Sequence, residues 1–224
     1  MKMPKNTFFN EERAEIDTMD LPEMASAPVG PEGPQRRELA VVEGKLTILV
    51  VRVVARDSET TRSEEALANS VFGANGQAVN MKSQYDSCSH GKLNFERADS
   101  RDSYYYSNSN RKIRNGVTTV YVDISTGQGD SVMRNAVTAK LNQEFDVSKP
   151  NQLADLVMYC LPPGTFSGVA YAYIDSWNSI YNDEWCSKLS AQMHEVGHNL
   201  NLGHRYVQSE NDFFCPYTIA FLLM

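Results

Sequence analysis

The fold class is indicated by the run Leu46-Thr-Ile-Leu-Val-Val-Arg-Val-Val54, which is β-branched and almost continuously apolar. A strand of this composition is usually buried on both faces, because helices cover both sides of its sheet. The run Leu153-Ala-Asp-Leu-Val-Met-Tyr-Cys160 has the same character and predicts a second buried strand. Other strand and helix patterns alternate with these two along the chain. Together they predict an α/β (α+β) fold in which helices pack on a mixed sheet.

The first predicted helix, over 63–72, has a suitable residue at each end. Ser63 is a good N-cap, and Gly73 follows the last turn. The other predicted elements are helices over 80–87 and 130–145 and strands over 92–97, 117–124 and 168–174. Small and large residues alternate in the last of these strands, which favours a position at the edge of the sheet.

The N-terminal 43 residues differ from the rest in composition, since they hold five of the nine prolines, nine acidic and five basic residues. Such a segment buries little apolar surface, so we expect a flexible leader or the remnant of a pro-segment over 1–43. A globular domain is predicted over 44–204, followed by an atypical tail over 205–224. No apolar h-region follows the basic start, so no signal peptide is visible in the chain.

The overall charge and hydropathy exclude two classes of partner. The 224 residues carry 21 Lys+Arg against 28 Asp+Glu, a formal net charge of −7. A nucleic-acid-binding surface needs clustered cations, so we expect no nucleic acid partner. No apolar run approaches the ~20 residues of a membrane helix, so no membrane span is expected.

The four cysteines are Cys88, Cys160, Cys186 and Cys215, far apart and without a C-x-x-C pair. They allow two disulfides in any of three pairings, which would indicate an oxidising compartment, or four buried free thiols. The sequence leaves both alternatives open.

Three of the four histidines lie within the run Gln192-Met-His-Glu-Val-Gly-His-Asn-Leu-Asn-Leu-Gly-His204. A helix is expected here, with Ser187 as N-cap and an apolar stripe formed by Leu189, Met193, Val196 and Leu200. His194 and His198 are four residues apart, so they project from one side of that helix. Two imidazoles one turn apart can bind a single tetrahedral metal ion, and Glu195 beside them can act as a base.

A third ligand, His204, requires the helix to end and the chain to turn back. Asn201 suits such a turn because Asn is second only to Gly in tolerating a positive φ, and Gly203 adds further freedom. Three histidine ligands would leave the fourth position of a zinc ion open, as in catalytic rather than structural sites.

The run from His194 to His204 resembles the extended zinc motif of the metzincin metallopeptidases. Three further stretches make the chain most similar to the gametolysin family within that clan: Gln84-Tyr-Asp-Ser-Cys-Ser-His-Gly-Lys-Leu-Asn-Phe95, Gly168-Val-Ala-Tyr-Ala-Tyr-Ile174 and Trp185-Cys186. The resemblance covers roughly Leu46 to His204.

This resemblance implies a metzincin-like fold, with a mostly parallel twisted sheet and an active-site helix at its C-terminal end. It implies Zn²⁺ held by His194, His198 and His204, with Glu195 as the general base for a zinc-activated water. The expected function is a secreted, monomeric endopeptidase that cleaves protein or glycoprotein substrates of the extracellular matrix or cell wall. A peptide substrate would add to the predicted edge strand at Gly168, Ala170 and Ala172, although an ordinary sheet strand fits that sequence equally well.

Two departures from the family pattern leave alternatives open. The family usually has Gly where this chain has Asn201, and only twenty residues follow His204, without the Met-containing turn of metzincins. The C-terminal subdomain is therefore expected to be truncated. The chain could accordingly be an inactive homologue that binds zinc or matrix protein without turnover. It could also hold a structural zinc, with Cys215 as the fourth ligand.

Four other residues have a metal-ligating side chain without a supporting motif. His90 lies in a predicted turn and is expected to be solvated rather than a ligand. Asp123, Asp155 and Asp175 lie near predicted strand ends, where a second metal is possible but solvated carboxylates are the better interpretation.

Overall fold

The computed structural model describes residues 42–100 and 113–203. Nearly all of the predicted leader, the tail over 205–224 and the two residues His204 and Cys215 lie outside this range.

Six strands and four helices make up the described part. The strands are β1 (Gly44–Val54), β2 (Leu93–Arg97), β3 (Val117–Tyr121), β4 (Leu156–Leu161), β5 (Ala170–Ala172) and β6 (Asn178–Asn182). The helices are α1 (Glu64–Phe72), α2 (Met81–Cys88), α3 (Asp130–Phe145) and α4 (Leu189–Asn199). None of these helices is long and apolar enough to cross a membrane.

The strands form one mixed sheet in the order β2-β1-β4-β6-β5, with β3 also paired to β1. β2 pairs with the first half of β1 and β3 with the second half, both in parallel. β4 and β6 continue the parallel sheet, whereas β5 pairs with β6 in the antiparallel direction at the edge. The predicted α/β class with a mostly parallel sheet is confirmed.

Helices cover both faces of the sheet, which accounts for the continuous apolar run in β1. Ile48 and Val50 point to one hydrophobic core, which also contains the buried side chains of α1, α2 and α4. Leu49 and Val51 point to a second core, which contains those of α3. Each is fully buried, so both faces of β1 are removed from water.

The ends of α1 confirm the helix signals read from the sequence. The Ser63 hydroxyl accepts a hydrogen bond from the Ala66 amide, and Gly73 ends the helix in the left-handed conformation with φ 69°. A side chain at Gly73 would come within 2.8 Å of the Gln77 carbonyl, so glycine is required for steric reasons as well.

Near the C-terminal helix one prediction is wrong and one strand was missed. Ser187 does not cap α4, because it belongs to a 3₁₀ turn over Asp183–Ser187 and its hydroxyl donates to the Glu184 carbonyl. Lys188 occupies the N-cap position instead, without a side-chain cap. The sequence also missed β6, because Asn178-Ser-Ile-Tyr-Asn182 is polar for a strand that proves almost entirely buried.

Cys160 in β4 is disulfide-bonded to Cys186, which lies just before α4. The alternative of four free thiols is therefore wrong. The bond joins the middle of the sheet to the segment that leads into the histidine-bearing helix.

Asp155 is half-buried rather than fully solvated, and its carboxylate joins the starts of β1 and β4. Its carboxylate accepts hydrogen bonds from the Thr47 amide at 2.7 Å and the Thr47 hydroxyl at 2.8 Å. In return, the Asp155 amide donates to the Thr47 hydroxyl at 3.1 Å. These reciprocal bonds set the register of the two central strands.

We predict that Asp155→Ala lowers the free energy of unfolding by about 1–3 kcal/mol, because it leaves buried donors on Thr47 without an acceptor. Asp123→Ala is the matched control. The Asp123 side chain is 89% exposed, and its contact with Arg56 is a surface ion pair of 3.7 Å. Its effect is expected to stay within about 0.5 kcal/mol. Urea denaturation measures both, and equal losses of stability would contradict this role for Asp155.

Candidate metal centre

Helix α4 carries the centre, and its orientation follows from its apolar stripe. Met193, Val196 and the adjoining Leu200 are buried in the core shared with α1 and α2, as predicted from their spacing. The Tyr85 hydroxyl of α2 donates to the Met193 carbonyl at 2.8 Å and fixes α4 against α2. With this stripe buried, the histidines project from a different side of the helix.

His194 and His198 face one another across one turn of α4. Their Nε2 atoms are 3.2 Å apart, and the two rings lie nearly perpendicular, at 88°. A tetrahedral zinc ion that binds two imidazole nitrogens at its usual bond length separates them by about 3.3 Å. The two side chains therefore already have the spacing of a ligand pair.

A hydrogen bond to the backbone fixes the tautomer of His198. Its Nδ1 lies 2.8 Å from the Leu202 carbonyl oxygen, which can only accept, so the proton is on Nδ1. The lone pair of neutral His198 is then on Nε2, the nitrogen that faces His194. A carbonyl partner of this kind is the usual outer contact of a metal-ligating histidine.

Asn201 brings the Leu202 carbonyl into place, and the turn predicted there is confirmed. Asn201 has φ 67°, in the left-handed region. The Asn201 amide donates to the His198 carbonyl at 3.0 Å, and the Leu202 amide donates to the Gly197 carbonyl at 2.9 Å. These two bonds are those of a Schellman motif, with Asn in the position that Gly usually takes.

Glu195 follows His194 directly in sequence and is only 5% exposed. Burial raises the pKa of its carboxyl to about 7, because a low-dielectric surrounding disfavours the charged form. A carboxyl that gains or loses its proton near neutral pH suits general acid–base chemistry.

The third predicted ligand lies outside the described residues. Within 42–100 and 113–203, no group of three His, Cys, Asp or Glu side chains is placed to hold a metal ion. The structure thus brings together His194 and His198 and leaves the prediction for His204 as it stood. The residue before it, Gly203, is exposed at the end of the described chain.

Strand β5 is at the edge of the described sheet, as predicted, and α4 contacts it. The Asn182 amide donates to the Val169 carbonyl at 2.9 Å, so Val169 and Asn182 form a hydrogen-bonded pair. Because such pairs alternate along antiparallel strands, the amide and carbonyl groups of Ala170 and Ala172 point away from β6. The Gly168 carbonyl differs, since the Asn182 side chain donates to it at 2.9 Å.

Two further predictions concern residues outside this centre. His90 is exposed in the turn after α2, with φ 55°, as expected for a solvated residue. Asp175 contributes its backbone rather than its carboxylate, because its amide donates to the His198 carbonyl at 3.0 Å. No sequence signal pointed to this contact between the β5–β6 turn and the metal centre.

No protein-family model, no curated protein and no solved structure matches this chain. Its function is therefore argued from the residues and from their geometry.

We predict that Asn201→Gly keeps or slightly raises the stability of the chain, whereas Asn201→Val lowers it by about 1–2 kcal/mol. A β-branched side chain is strained at positive φ, and glycine is not. Thermal unfolding in a chelator, where no metal contributes, measures the difference. Identical melting temperatures for the two variants would contradict the left-handed turn.

Proposed function

We propose that the chain is a zinc-dependent endopeptidase of the metzincin type, closest to the gametolysin family. The observation that carries this proposal is the 3.2 Å separation of the His194 and His198 Nε2 atoms. Glu195, which lies between the two histidines in sequence, is buried. The described sheet is of the mixed, mostly parallel kind that the resemblance implies.

His194 and His198 would hold the zinc ion through Nε2, with His204 as the third ligand. His198 is prepared for this role, because its Nδ1–H donates to Leu202 and leaves Nε2 unprotonated. When bound, zinc in such a site lowers the pKa of a coordinated water and polarises a carbonyl group.

Glu195 would serve as the general base and then as the general acid. Its carboxylate takes a proton from the attacking water and passes it to the leaving amine of the cleaved peptide bond. Burial favours the protonated form, which helps the second transfer, whereas a nearby divalent cation favours the carboxylate needed for the first.

The edge strand would bind the substrate. An extended peptide can pair with the outward amide and carbonyl groups of Ala170 and Ala172, and such main-chain bonds are independent of substrate sequence. The methyl side chains of these residues leave space for larger side chains of the peptide.

The Cys160–Cys186 disulfide supports an extracellular or cell-wall location, because disulfides persist mainly in oxidising compartments. Matrix and cell-wall proteins or glycoproteins are the substrates that this location and the family resemblance favour.

We predict that Glu195→Gln lowers the turnover of casein by about 10²–10⁴-fold, because it removes the proton acceptor. Zinc binding is expected to remain, since Glu195 is not a proposed ligand. Glu144→Gln is the control, because Glu144 lies on α3, on the other face of the sheet, and forms a surface ion pair with Lys140.

Chelator-sensitive cleavage of casein by the refolded, zinc-loaded chain measures these effects. Full activity of Glu195→Gln would contradict the proposed base. Zinc binding by the wild type without any turnover would instead favour an inactive homologue, and a sulfur ligand seen by metal spectroscopy would favour a structural zinc.

We also predict that Ala172→Pro raises the apparent KM for casein by about 10-fold, through loss of one outward amide donor. Proline is tolerated in an edge strand where its nitrogen faces solvent. Ala172→Ser, which keeps the amide, is the control. Equal KM values for the two variants would argue against strand addition at β5.

A further inference from the structure

Strand β5 is too short to be held by strand pairing alone. It has three residues and pairs with β6 on one side only. A strand of this length at an edge frays unless other contacts fix it. Two asparagine side chains, one at each end of β5, supply such contacts.

Asn199 holds the C-terminal end of the strand. Its side-chain amide donates to the Tyr173 carbonyl at 3.2 Å, directly after β5, and to the Asn178 carbonyl at 2.9 Å, at the start of β6. Both partners are carbonyls, so only the nitrogen of the amide can face them. Asn199 thereby bridges the two ends of the β5–β6 turn.

Asn182 holds the other end in the same way. Its side-chain amide donates to the Phe166 carbonyl at 2.8 Å and to the Gly168 carbonyl at 2.9 Å. Both acceptors lie in the segment that enters β5. The two asparagines therefore make three bonds to backbone carbonyls on either side of the three-residue strand and a fourth to the start of β6.

In both side chains the amide oxygen is buried and has no hydrogen-bond partner in the described part of the chain. A buried oxygen without a partner lowers stability, and native structures contain few of them. Each asparagine is thus oriented by its two donor bonds alone.

The two asparagines differ in their connection to the metal centre. Asn199 follows His198 directly. The β5–β6 turn that Asn199 bridges also contacts His198, because the Asp175 amide donates to the His198 carbonyl at 3.0 Å. Asn182 has no corresponding contact with either histidine among the bonds of the described chain. A displacement at Asn199 therefore moves both the strand and a ligand, whereas one at Asn182 moves the strand.

We propose that Asn182 and Asn199 are positioning residues that hold β5 as a fixed template for an extended peptide, and that Asn199 also sets the place of β5 relative to His198. This inference rests on the proposed peptidase function. It assigns the alignment of substrate and metal centre to two side chains that touch neither.

The test replaces each residue with leucine, which has nearly the same size but no donor. Asn182→Leu is expected to raise the apparent KM for fluorescein-labelled casein by about 10-fold, with kcat and zinc affinity changed by less than about 2-fold. Asn199→Leu is expected to raise KM similarly and also to lower both kcat and zinc affinity by about 3-fold or more.

Asn142→Leu is the matched control. Asn142 also donates to a backbone carbonyl, that of Ser148, and its amide oxygen is also buried without a partner. It lies near the end of α3, so its loss should lower stability without changing KM, kcat or zinc affinity. A purely structural role would make all three variants alike, and that result would overturn the proposal.

A measurement on the wild type covers the case in which a leucine variant does not fold. The side-chain amide protons of Asn182 and Asn199 should exchange with solvent at least about 10-fold more slowly than those of an exposed asparagine such as Asn151, as read by NMR. Exchange at the rate of Asn151 would overturn the role proposed for Asn182 and Asn199.

Failure of the peptidase proposal is separable from failure of this one. If the wild type binds labelled casein but does not cleave it, the peptidase function is wrong. The Kd of the three variants for labelled casein, measured by fluorescence anisotropy, then tests the roles of Asn182 and Asn199. Equal Kd values for Asn182→Leu and Asn142→Leu would overturn the proposal.

Discussion

The left-handed turn at Asn201 is the constraint on which the metal centre depends. It follows the C-cap residue of α4, Leu200, and turns the Leu202 carbonyl back toward the helix, where it accepts from Nδ1 of His198. Without that turn the imidazole has no fixed tautomer and no fixed rotation. A backbone conformation that few residues adopt thus determines the chemical state of a side chain three positions earlier.

The helix itself is held at three other places, all in the interior. The disulfide from Cys160 anchors the segment before it, and the Gln192 side-chain amide donates to the Cys186 carbonyl at 2.7 Å. Tyr85 binds the Met193 carbonyl on the α2 side. Burial of the apolar stripe supplies most of the free energy by which α4 packs on the sheet. These polar contacts fix the rotation of α4 about its axis and its position along that axis.

Sequence reasoning succeeded where local chemistry determines local structure. The caps of α1, the two-sided burial of β1 and the turn at Asn201 each follow from residue types within a few positions of one another. It failed for β6 and for the roles of Asp155 and Asn199, because their partners are distant in sequence: Thr47 lies 108 residues from Asp155, and Tyr173 lies 26 residues from Asn199. A polar side chain that bonds to a remote backbone carbonyl leaves no periodic signal. The strand β6 was missed because its buried residues Asn178 and Ser179 interrupt the apolar pattern that marks a strand.

The geometry of the histidine pair also indicates how little must change when a cation binds. With the His198 proton on Nδ1, the 3.2 Å contact between the Nε2 atoms is satisfied when His194 carries its proton on Nε2. A cation requires His194 to move that proton to Nδ1, and this exchanges one neutral tautomer for another without net release of a proton. The side chains need no new rotamer, because their spacing is already that of two ligands on one ion. Rotamer and spacing are thus set in advance for two of the three proposed ligands, and the tautomer for His198 alone, by the fold of a single helix and its terminal turn.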